Sequence, residues 1–400
     1  MVAAICAAAL AAPSAGSAGD PLCLANYGSA PARAAASLRF GIDPGLAGSA
    51  GNAQLPSVPD DPARDLAAVE QLRPKGRVLV VRLNRLFWSA GDRGIASFRR
   101  LAAGYTRAGF EIELQVRYHP SPTEVGNLQA WKAYVRHVVD VLGSNPHVTA
   151  MTITNEVNIS DSPNTSDGYY RGAEQALVAG IEVAHAEAAK RGYTRLRFGF
   201  TYAYRFSPAG DAALFQYLAV HGGARFRRAL GFVGVDVYPG TIYPPKIQPG
   251  QSYGTALSRA LGTVRDCYLR IARIAAATPI WITENGVPTG TLSGAAQAAA
   301  LTQLVDAAHA YSKTFNVTDY RWFNLRDSTA QPLGGATFSS DGLLRADYTH
   351  KPAFSAYREL IEKFGTAAGA GSPVRSRRRI AGSQSGPVRG GAQGDTRSAA

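Results

Sequence analysis

Ile280-Trp281-Ile282-Thr283-Glu284-Asn285-Gly286 is the stretch that decides the fold of this chain of 400 residues. A second segment of the same design lies upstream, Met151-Thr152-Ile153-Thr154-Asn155-Glu156, and both are short apolar, β-branched runs that end abruptly at a carboxylate. Strands that are buried on both faces of a parallel sheet have such near-continuous apolar runs. The two segments therefore predict two buried parallel strands, each of which delivers an acidic side chain to the same edge of a sheet.

Runs of this kind alternate with helical stretches along the chain. The strand-like runs begin near Leu38, Val78, Glu111, Val148, Leu196, Phe232, Pro279 and Thr318. The Ala-rich stretches with helical periodicity include Ala63–Leu72, Ala130–Leu142, Ala173–Arg191, Ala256–Ala276, Ala295–Ala310 and Ala353–Lys363. Helix-start signals precede three of them, namely Asp61-Pro62, Ser293-Gly294 and Pro352. Eight parallel strands that alternate with helices close most simply into a (β/α)8 TIM barrel, an α/β fold.

The alternative fold is an open, doubly wound sheet. Such a sheet would carry a Gly-rich phosphate-binding turn after an early strand, and the sequence has no GxGxxG or Walker-type loop. Apolar residues make up 46% of the chain, which is enough for the large core of a barrel. We therefore predict a single-domain TIM barrel and no cofactor.

The two ends of the chain differ from the rest in composition. The apolar stretch Val2–Ala12 is followed by small residues, and its length suits a secretory signal peptide but is too short to span a bilayer. Residues 366–400 hold six Arg and one Asp among many Gly, Ser and Ala, so this basic tail is predicted to be disordered. The expected organisation is a leader over 1–18, a catalytic domain over 19–365 and the tail over 366–400.

The charge and the cysteines bear on partners and location. Part of the net charge of +13 lies in the tail, whose Arg377-Arg378-Arg379 run could contact anionic polymers of a cell envelope. We predict neither nucleic-acid binding nor a membrane span. Once a leader that carries Cys6 is removed, Cys23 and Cys267 remain as a possible disulfide, with two unpaired thiols as the alternative. These features together favour a secreted protein.

Polar and aromatic side chains end every predicted strand. The active sites of TIM barrels form at this carboxyl-terminal mouth. The groups that end the strands are Asp43, Arg82 with Asn84, His119, Asn155 with Glu156, Tyr202 with Tyr204, Asp236 with Tyr238, Glu284 with Asn285, and Trp322 with Asn324. Stability does not require this arrangement, whereas binding of a polar, ring-shaped ligand does.

Two carboxylates at one barrel mouth are what cleavage of a glycosidic bond requires. One protonated carboxyl group serves the leaving oxygen, and one ionised carboxylate faces the anomeric carbon. We assign Glu284 as the nucleophile and Glu156 as the acid/base, with carboxyl groups roughly 5–5.5 Å apart as in retaining enzymes. At that distance like charges disfavour joint ionisation, so the pKa of one carboxyl group must rise.

Further side chains are predicted to assist this pair. Asn155 would donate to the sugar 2-hydroxyl, and Tyr238 would donate to Glu284. Arg82 would supply positive charge and bind substrate, the alternative being a buried ion pair inside the barrel. Asp236 has the strand parity of Tyr238 and could be only a buried core acid. Histidines in HxH or HExxH spacing do not occur, so no metal is predicted.

This pattern resembles the retaining glycoside hydrolases of clan A, whose barrels carry Asn-Glu at the end of strand four and Glu at the end of strand seven. Families 5 and 39 are the most similar. The resemblance covers about residues 38–364 and implies acid/base and nucleophile roles for Glu156 and Glu284. It does not imply a substrate, because one fold hosts many specificities.

The resemblance also bears on three other positions. It implies that Trp322 forms the floor of the −1 subsite. It also implies that His119, which corresponds to a histidine on strand three of family 5, binds substrate. The chain departs from family 5 at Asp236-Val237-Tyr238, where that family usually has His-x-Tyr.

Several other aromatic side chains are ambiguous. Trp88, Tyr202, Tyr204 and Tyr243 follow or end strands and could either stack on sugar faces or pack within the protein. Trp281 is out of phase with Glu284 in a period of two, so we expect it to point outward against the helices.

The sequence thus predicts a retaining glycoside hydrolase that cleaves O-glycosidic bonds, most simply β-linked ones, of poly- or oligosaccharides by double displacement. The alternative is a catalytically silent barrel that binds glycan at the cell envelope, and the intact carboxylate pair favours the enzyme. Long segments over 44–59, 160–167 and 238–253 would shape the cleft and set the sugar specificity.

Overall fold

The barrel expected from the sequence is present in a computed structural model, which describes residues 30–45, 56–163, 165–205, 208–242, 247–290, 292–332 and 337–369. Eight parallel strands follow one another around a closed barrel, and the eighth pairs with the first. They are β1 (Arg39–Ile42), β2 (Leu79–Phe87), β3 (Glu111–Arg117), β4 (Val148–Ile153), β5 (Arg197–Tyr204), β6 (Phe232–Val237), β7 (Ile280–Glu284) and β8 (Val317–Trp322). Each strand begins within one residue of its predicted start, and the predicted (β/α)8 fold is confirmed.

Helices surround the barrel, and the three with start signals in the sequence begin at Pro62, Gly294 and Pro352, within one residue of their predicted starts. The helices are α1 (Pro62–Leu72), α2 (Gly91–Arg107), α3 (Leu128–Leu142), α4 (Ala173–Arg191), α5 (Pro208–His221), α6 (Gly223–Ala229), α7 (Tyr253–Thr263), α8 (Leu269–Ile271), α9 (Gly294–Ala310), α10 (Ser312–Phe315) and α11 (Pro352–Phe364). Asp61 caps α1 by accepting from the backbone N–H groups of Ala63 and Arg64 at 3.0 and 3.2 Å. The single long helix expected over 256–276 is instead α7 and α8 joined by a π-helical turn, Val264–Tyr268.

The interior of the barrel holds ion pairs as well as apolar side chains. Arg321 donates to Glu113 at 3.1 Å and to Asp319 at 2.7 Å, and all three residues are buried. Glycine makes room for them on β1, since a Cβ atom on Gly41 would lie 2.4 Å from the Arg321 side chain. These charges form a column inside the barrel, and Arg82 extends it to the mouth by donating to the same Glu113 at 3.1 Å.

The side chain of Trp281 lies inside the barrel, which corrects the prediction that it packs outward. Its ring stacks on Phe232 of the neighbouring strand with centroids 3.7 Å apart, and the Arg321 guanidinium lies 5.5 Å from the ring centroid. The pairing of β6 with β7 shifts by one residue just before Glu284. Such a bulge changes the parity of a strand, so a simple period of two fails across it.

The barrel also extends slightly beyond the predicted start of the tail. The backbone N–H of Thr366 donates to Leu38 at 3.0 Å, and the N–H of Val78 donates to Thr366 at 2.9 Å. The first residues of the predicted tail therefore close the amino-terminal end of the barrel between β1 and β2. The leader over 1–18 and the Arg377-Arg378-Arg379 run lie outside the described residues.

Two findings concern cysteine and membranes. Cys267 is buried and takes part in a disulfide, while Cys23, the partner considered from the sequence, lies outside the described residues. Among the described helices, none is both long enough and apolar enough to cross a lipid bilayer.

Candidate active site

Glu156 and Glu284 converge at the mouth of the barrel. A carboxylate oxygen of each lies within 4.8 Å of the other, and Asp236 places a third carboxylate oxygen within the same distance of both. Glu156 follows β4 and Glu284 ends β7, so two strands distant in sequence supply the pair. The convergence expected from the strand ends is therefore present.

Glu284 is held by two donors at once. Arg82 donates to its Oε1 at 2.8 Å, and the Tyr238 hydroxyl donates to its Oε2 at 2.8 Å. Glu284 is 5% exposed, so these contacts replace most of the water around the carboxylate. Hydrogen bonds from charged or hydroxyl donors stabilise the ionised form, which is the form a nucleophile needs.

Glu156 has a different environment, which favours the protonated form. Its described hydrogen-bond donor is the Ser166 hydroxyl, at 2.9 Å from Oε2. Burial, followed by repulsion from Glu284, raises the pKa of Glu156 to about 8, although Ser166 and nearby arginines oppose the shift. Two neighbouring carboxyl groups with such unequal partners are typical of an acid and a nucleophile.

The backbone around Glu156 is strained. Thr154 and Glu156 have positive φ angles of 69° and 46°, a region that side chains other than glycine rarely adopt. The Glu156 N–H donates to the Thr201 carbonyl at 3.1 Å and so holds this conformation against β5. Strain of this kind is retained where the surrounding structure over-determines it, most often at functional sites.

Asp167 anchors the loop that carries Ser166. Its Oδ1 accepts from Arg117 at 2.7 Å, and its Oδ2 accepts from the backbone N–H groups of Tyr118 and Asn155 at 2.7 and 2.9 Å. One buried carboxylate thereby ties the loop to the ends of both β3 and β4. The position of the Glu156 carboxyl group depends on this attachment, because Ser166, which donates to Glu156, directly precedes Asp167 in the chain.

Asn155 lies beside the pair, but protein groups occupy most of its polar atoms. Its Oδ1 accepts from the Thr201 hydroxyl at 2.8 Å and from Gln115, and its Nδ2 donates to the Thr165 carbonyl at 2.8 Å. One N–H of the Asn155 amide is left over, so the predicted contact with a sugar hydroxyl requires that single donor.

Arg82 is a buried ion-pair partner and also a partner of the catalytic candidate. It donates to Asp43 at 3.1 Å, to Glu113 at 3.1 Å and to Glu284 at 2.8 Å, and none of its side chain is exposed. The prediction that it binds substrate directly therefore needs correction, because a fully buried guanidinium has no surface to offer a ligand. Arg82 instead positions Glu284 and supplies the charge that compensates it.

Removal of Arg82 is expected to lower the stability of the barrel. Arg82→Met leaves three buried carboxyl groups without their shared cation, which costs about 3–5 kcal/mol in the free energy of unfolding. Urea denaturation measures the loss. Arg358→Met is the matched control, since the Arg358 and Glu362 side chains are 43% and 66% exposed and their charged atoms lie 3.9 Å apart. Equal losses in both variants would refute the assignment of Arg82 as the central cation.

His119 lies just beyond the end of β3. Its ring packs against Phe87 and Tyr170 with centroids 4.5 and 4.9 Å apart, and its Nδ1 is 3.3 Å from the Ser89 hydroxyl. Burial, as the largest cause, lowers the pKa of His119. The ring is only partly buried, so a neutral imidazole at the rim stays available for the substrate contact predicted for it.

Most of the ambiguous aromatic side chains are core residues. Trp88 is 3% exposed and packs against Trp131, while Tyr202 packs edge-on against Phe215 of α5 at 4.8 Å. Tyr204 has the same parity as Tyr202 and is also buried. These side chains face the helices rather than the mouth. Tyr243 lies outside the described residues.

Trp322 is also directed toward the helices, which corrects its predicted role as a subsite floor. It is fully buried, its indole N–H donates to the Asp341 carbonyl at 3.0 Å, and its ring lies 6.5 Å from Tyr357 of α11. The neighbouring Phe323 is only partly buried and meets the Tyr238 ring edge-on at 6.3 Å. Alternation along β8 explains the difference, since successive side chains point to opposite faces.

Four residues of the site were not singled out from the sequence for the parts they have here. Ser166 and Asp167 come from a loop of small polar residues, where nothing local marks one hydroxyl or one carboxylate as special. Asp43 ends β1 and shares Arg82 with Glu284, and burial raises the pKa of Asp43 to about 8. Phe323 could have been found by counting parity from the end of β8.

Comparisons with known proteins give matches in structure only. No family model and no curated protein sequence matches the chain. A GH5_18 protein from Bifidobacterium longum subsp. infantis is similar at TM-score 0.58 and 16% identity, over 83% of this chain and 81% of that one. The likeness shows a shared barrel fold. The TIM barrel is therefore the fold that the clan A resemblance implied.

Two further similar structures contain bound ligands. A glutamate-to-alanine variant of GH5_18 from Streptomyces cattleya, in complex with Manb1-4GlcNAc, has TM-score 0.54 and 19% identity, over 78% of this chain and 77% of that one. A β-glucosidase from Thermotoga maritima, in complex with a substituted glucoimidazole, has TM-score 0.56 and 13% identity, over 82% of this chain and 98% of that one.

Proposed function

We propose that this protein is a retaining glycoside hydrolase in which Glu284 is the nucleophile and Glu156 is the acid/base. The observation that carries the proposal is the spacing of their carboxylate oxygens, which lie within 4.8 Å of each other. Retaining enzymes hold the two carboxyl groups roughly 5–5.5 Å apart, whereas inverting enzymes leave roughly 6.5–9.5 Å for a water molecule. The barrel fold shared with glycoside hydrolases supports the same conclusion.

The first chemical step follows from the unequal environments of the two acids. Ionised Glu284 attacks the anomeric carbon while Arg82 and Tyr238 hold its oxygens in place. Protonated Glu156 gives its proton to the leaving glycosidic oxygen, so the bond to the aglycone breaks as the ester to Glu284 forms. The negative charge thereby moves from Glu284 to Glu156.

The second step reverses these roles. Glu156, now ionised, takes a proton from a water molecule, and the resulting hydroxide oxygen attacks the anomeric carbon of the ester. Glu284 leaves as a carboxylate and regains its contacts with Arg82 and Tyr238. The sugar is released with its original anomeric configuration, because two inversions restore it.

We assign the aromatic contact with the sugar to Phe323. Its partly exposed ring lies next to Tyr238, the residue that contacts Glu284. Phe323→Ala is expected to raise KM by roughly tenfold, because a stacking surface of about 1–1.5 kcal/mol is lost. Trp322→Phe should instead lower the free energy of unfolding, by about 1–3 kcal/mol, because the Asp341 carbonyl loses the closer of its two donors and keeps only Gln297, at 3.4 Å. Steady-state kinetics and urea denaturation of both variants separate the two roles, and the reverse outcome would restore Trp322 as the sugar contact.

A panel of aryl β-glycosides and polysaccharides tests the function itself. Aryl β-mannosides and β-glucosides belong in the panel because the similar structures hold Manb1-4GlcNAc and a glucoimidazole. NMR of the first product formed reports its anomeric configuration. A product with retained configuration is expected, and an inverted one would refute the double displacement.

We further propose that the protein acts outside the cytoplasm. The disulfide at Cys267 supports this location, since such bonds persist in oxidising compartments. Mass spectrometry of the mature protein purified from its host would test the proposal by locating the amino terminus and the disulfide. An amino terminus at residue 1 together with reduced cysteines would contradict it.

A further inference from the structure

Asp236 is a third acid in direct proximity to the catalytic pair, and the mechanism above does not use it. Its carboxyl group lies within 4.8 Å of carboxylate oxygens of both Glu156 and Glu284, and the residue is fully buried. Its Oδ1 accepts from the Thr283 hydroxyl at 2.7 Å. Among the described residues, no group is hydrogen-bonded to its Oδ2.

The charges that face Asp236 favour its neutral form. Glu284 on β7 and Glu156 after β4 are both acids, so two of its neighbours repel a negative charge. Arg82 on β2 is the nearby cation, but its described ion pairs go to Asp43, Glu113 and Glu284.

The two hydroxyl groups near Asp236 do not compensate a charge either. Thr283 donates a neutral hydrogen bond, and the Tyr238 hydroxyl donates to Glu284 instead. Burial, and then repulsion by Glu284 and Glu156, raise the pKa of Asp236 well above its ordinary value. A protonated Asp236 carries one O–H group, and the described part of the resting site offers no acceptor within hydrogen-bonding distance of Oδ2.

The proposed reaction creates a need for that donor. In the free enzyme the negative charge lies on Glu284, which has Arg82 and Tyr238 as donors. In the glycosyl-enzyme the charge lies on Glu156, for which Ser166 supplies the described hydrogen bond. A buried carboxylate with so few donors is costly, and a donor placed to meet it would stabilise it.

We propose that Asp236 is a neutral carboxylic acid whose O–H donates to Glu156 once Glu156 has become ionised. The inference rests on the proposed function, because only double displacement moves the charge from one glutamate to the other. Oδ2 accepts no bond from the residues that the structure describes, and catalytic hydrogen bonds commonly shorten only when the substrate is bound. Asp236 is thus a positioning residue for the second step of the reaction rather than a group that attacks the sugar.

Two substitutions of similar size separate this role from packing. Asp236→Asn keeps a neutral donor, and Asp236→Leu keeps the volume but removes the donor. With an aryl glycoside whose leaving group is good, Leu is expected to slow hydrolysis of the glycosyl-enzyme about tenfold or more relative to Asn. An initial burst of aryl alcohol, faster than its steady release, is therefore expected only in the Leu variant. Equal rates in the two variants would overturn the proposal.

The pH profile supplies the second readout. Since Asn cannot ionise, the alkaline midpoint of kcat/KM should stay where it is in the wild type if Asp236 is neutral throughout. If Asp236 were ionised, its replacement by Asn would remove a negative charge and lower the midpoint by about one pH unit. A shift of that size would overturn the proposal.

A third measurement does not depend on activity. In protein labelled with carbon-13 at the aspartate carboxyl groups, the difference spectrum between wild type and Asp236→Asn isolates the Asp236 resonance. We expect that resonance to remain at the position of a protonated acid at pH 6, and an ionised position would contradict the proposal. This result holds even for a protein without turnover, so failure of the glycosidase assignment and failure of the Asp236 assignment are distinguishable. Thermal unfolding of both variants checks that each is folded.

Discussion

Glu284→Ala is expected to reduce hydrolysis of every substrate by roughly ten-thousandfold or more, which corresponds to about 5 kcal/mol of transition-state stabilisation. The reason is the loss of the nucleophile, since Arg82 and Tyr238 remain in the site without a carboxylate to position. Azide should restore part of the activity, because the small anion fits the space left by the side chain and attacks the anomeric carbon. Its product, a glycosyl azide of inverted configuration, is identified by NMR.

The control for this variant is Glu362→Ala, which removes a carboxylate whose side chain is 66% exposed and remote from the mouth. Its rate should equal that of the wild type. Wild-type rates in Glu284→Ala would refute the nucleophile assignment. Glycan binding by the wild-type protein without any release of product, measured by calorimetry, would instead favour the silent, glycan-binding barrel.

Glu156→Ala is expected to divide substrates by the quality of their leaving group. Activated aryl glycosides need no proton to leave, so formation of the glycosyl-enzyme should be nearly as fast as in the wild type. Ordinary glycosides need the proton and should react roughly a thousandfold more slowly, which is within the range of general acid catalysis. Kinetics on an activated and an unactivated glycoside of the same sugar measures the difference, and equal losses on both would contradict the acid/base role.

The same residue fixes the alkaline side of the pH profile. Glu156 must be protonated in the free enzyme, and its pKa is raised to about 8, so kcat/KM should fall as the pH rises through about 8. In Glu156→Gln that alkaline fall should vanish, because the amide does not titrate. A fall that persists at the same pH in Glu156→Gln would show that another group controls it.

Sequence reasoning succeeded where one local pattern maps onto one structural element. The apolar runs that begin near Val148 and Pro279 are strands, because a short apolar, β-branched run favours a sheet that is covered on both faces. The contact between Tyr238 and Glu284 was also predictable, since the two residues end neighbouring strands at the same mouth. Parallel strands bring their carboxyl ends to one edge whatever the sequence between them.

Sequence reasoning failed where the direction of a side chain depends on strand register or on contacts across the fold. The bulge before Glu284 reverses the parity of β7, so Trp281 turned inward although the period of two pointed it outward. Trp322 was assigned to the subsite floor from the clan A resemblance, whereas the parity of β8 gives the mouth to Phe323. Ser166 carries no mark in the sequence at all, because its role comes from a loop whose position another residue fixes.

That other residue, Asp167, has a practical consequence for changing what the protein acts on. Its three hydrogen bonds fasten one end of the loop to two strands, and the Glu156 N–H fastens the other end by donating to the Thr201 carbonyl of β5 at 3.1 Å. Residues 160–163 thus lie between two clamped ends. Segments of different length could be exchanged there while the proton donor keeps its place, which makes this stretch the natural entry point for redesigning the range of sugars accepted.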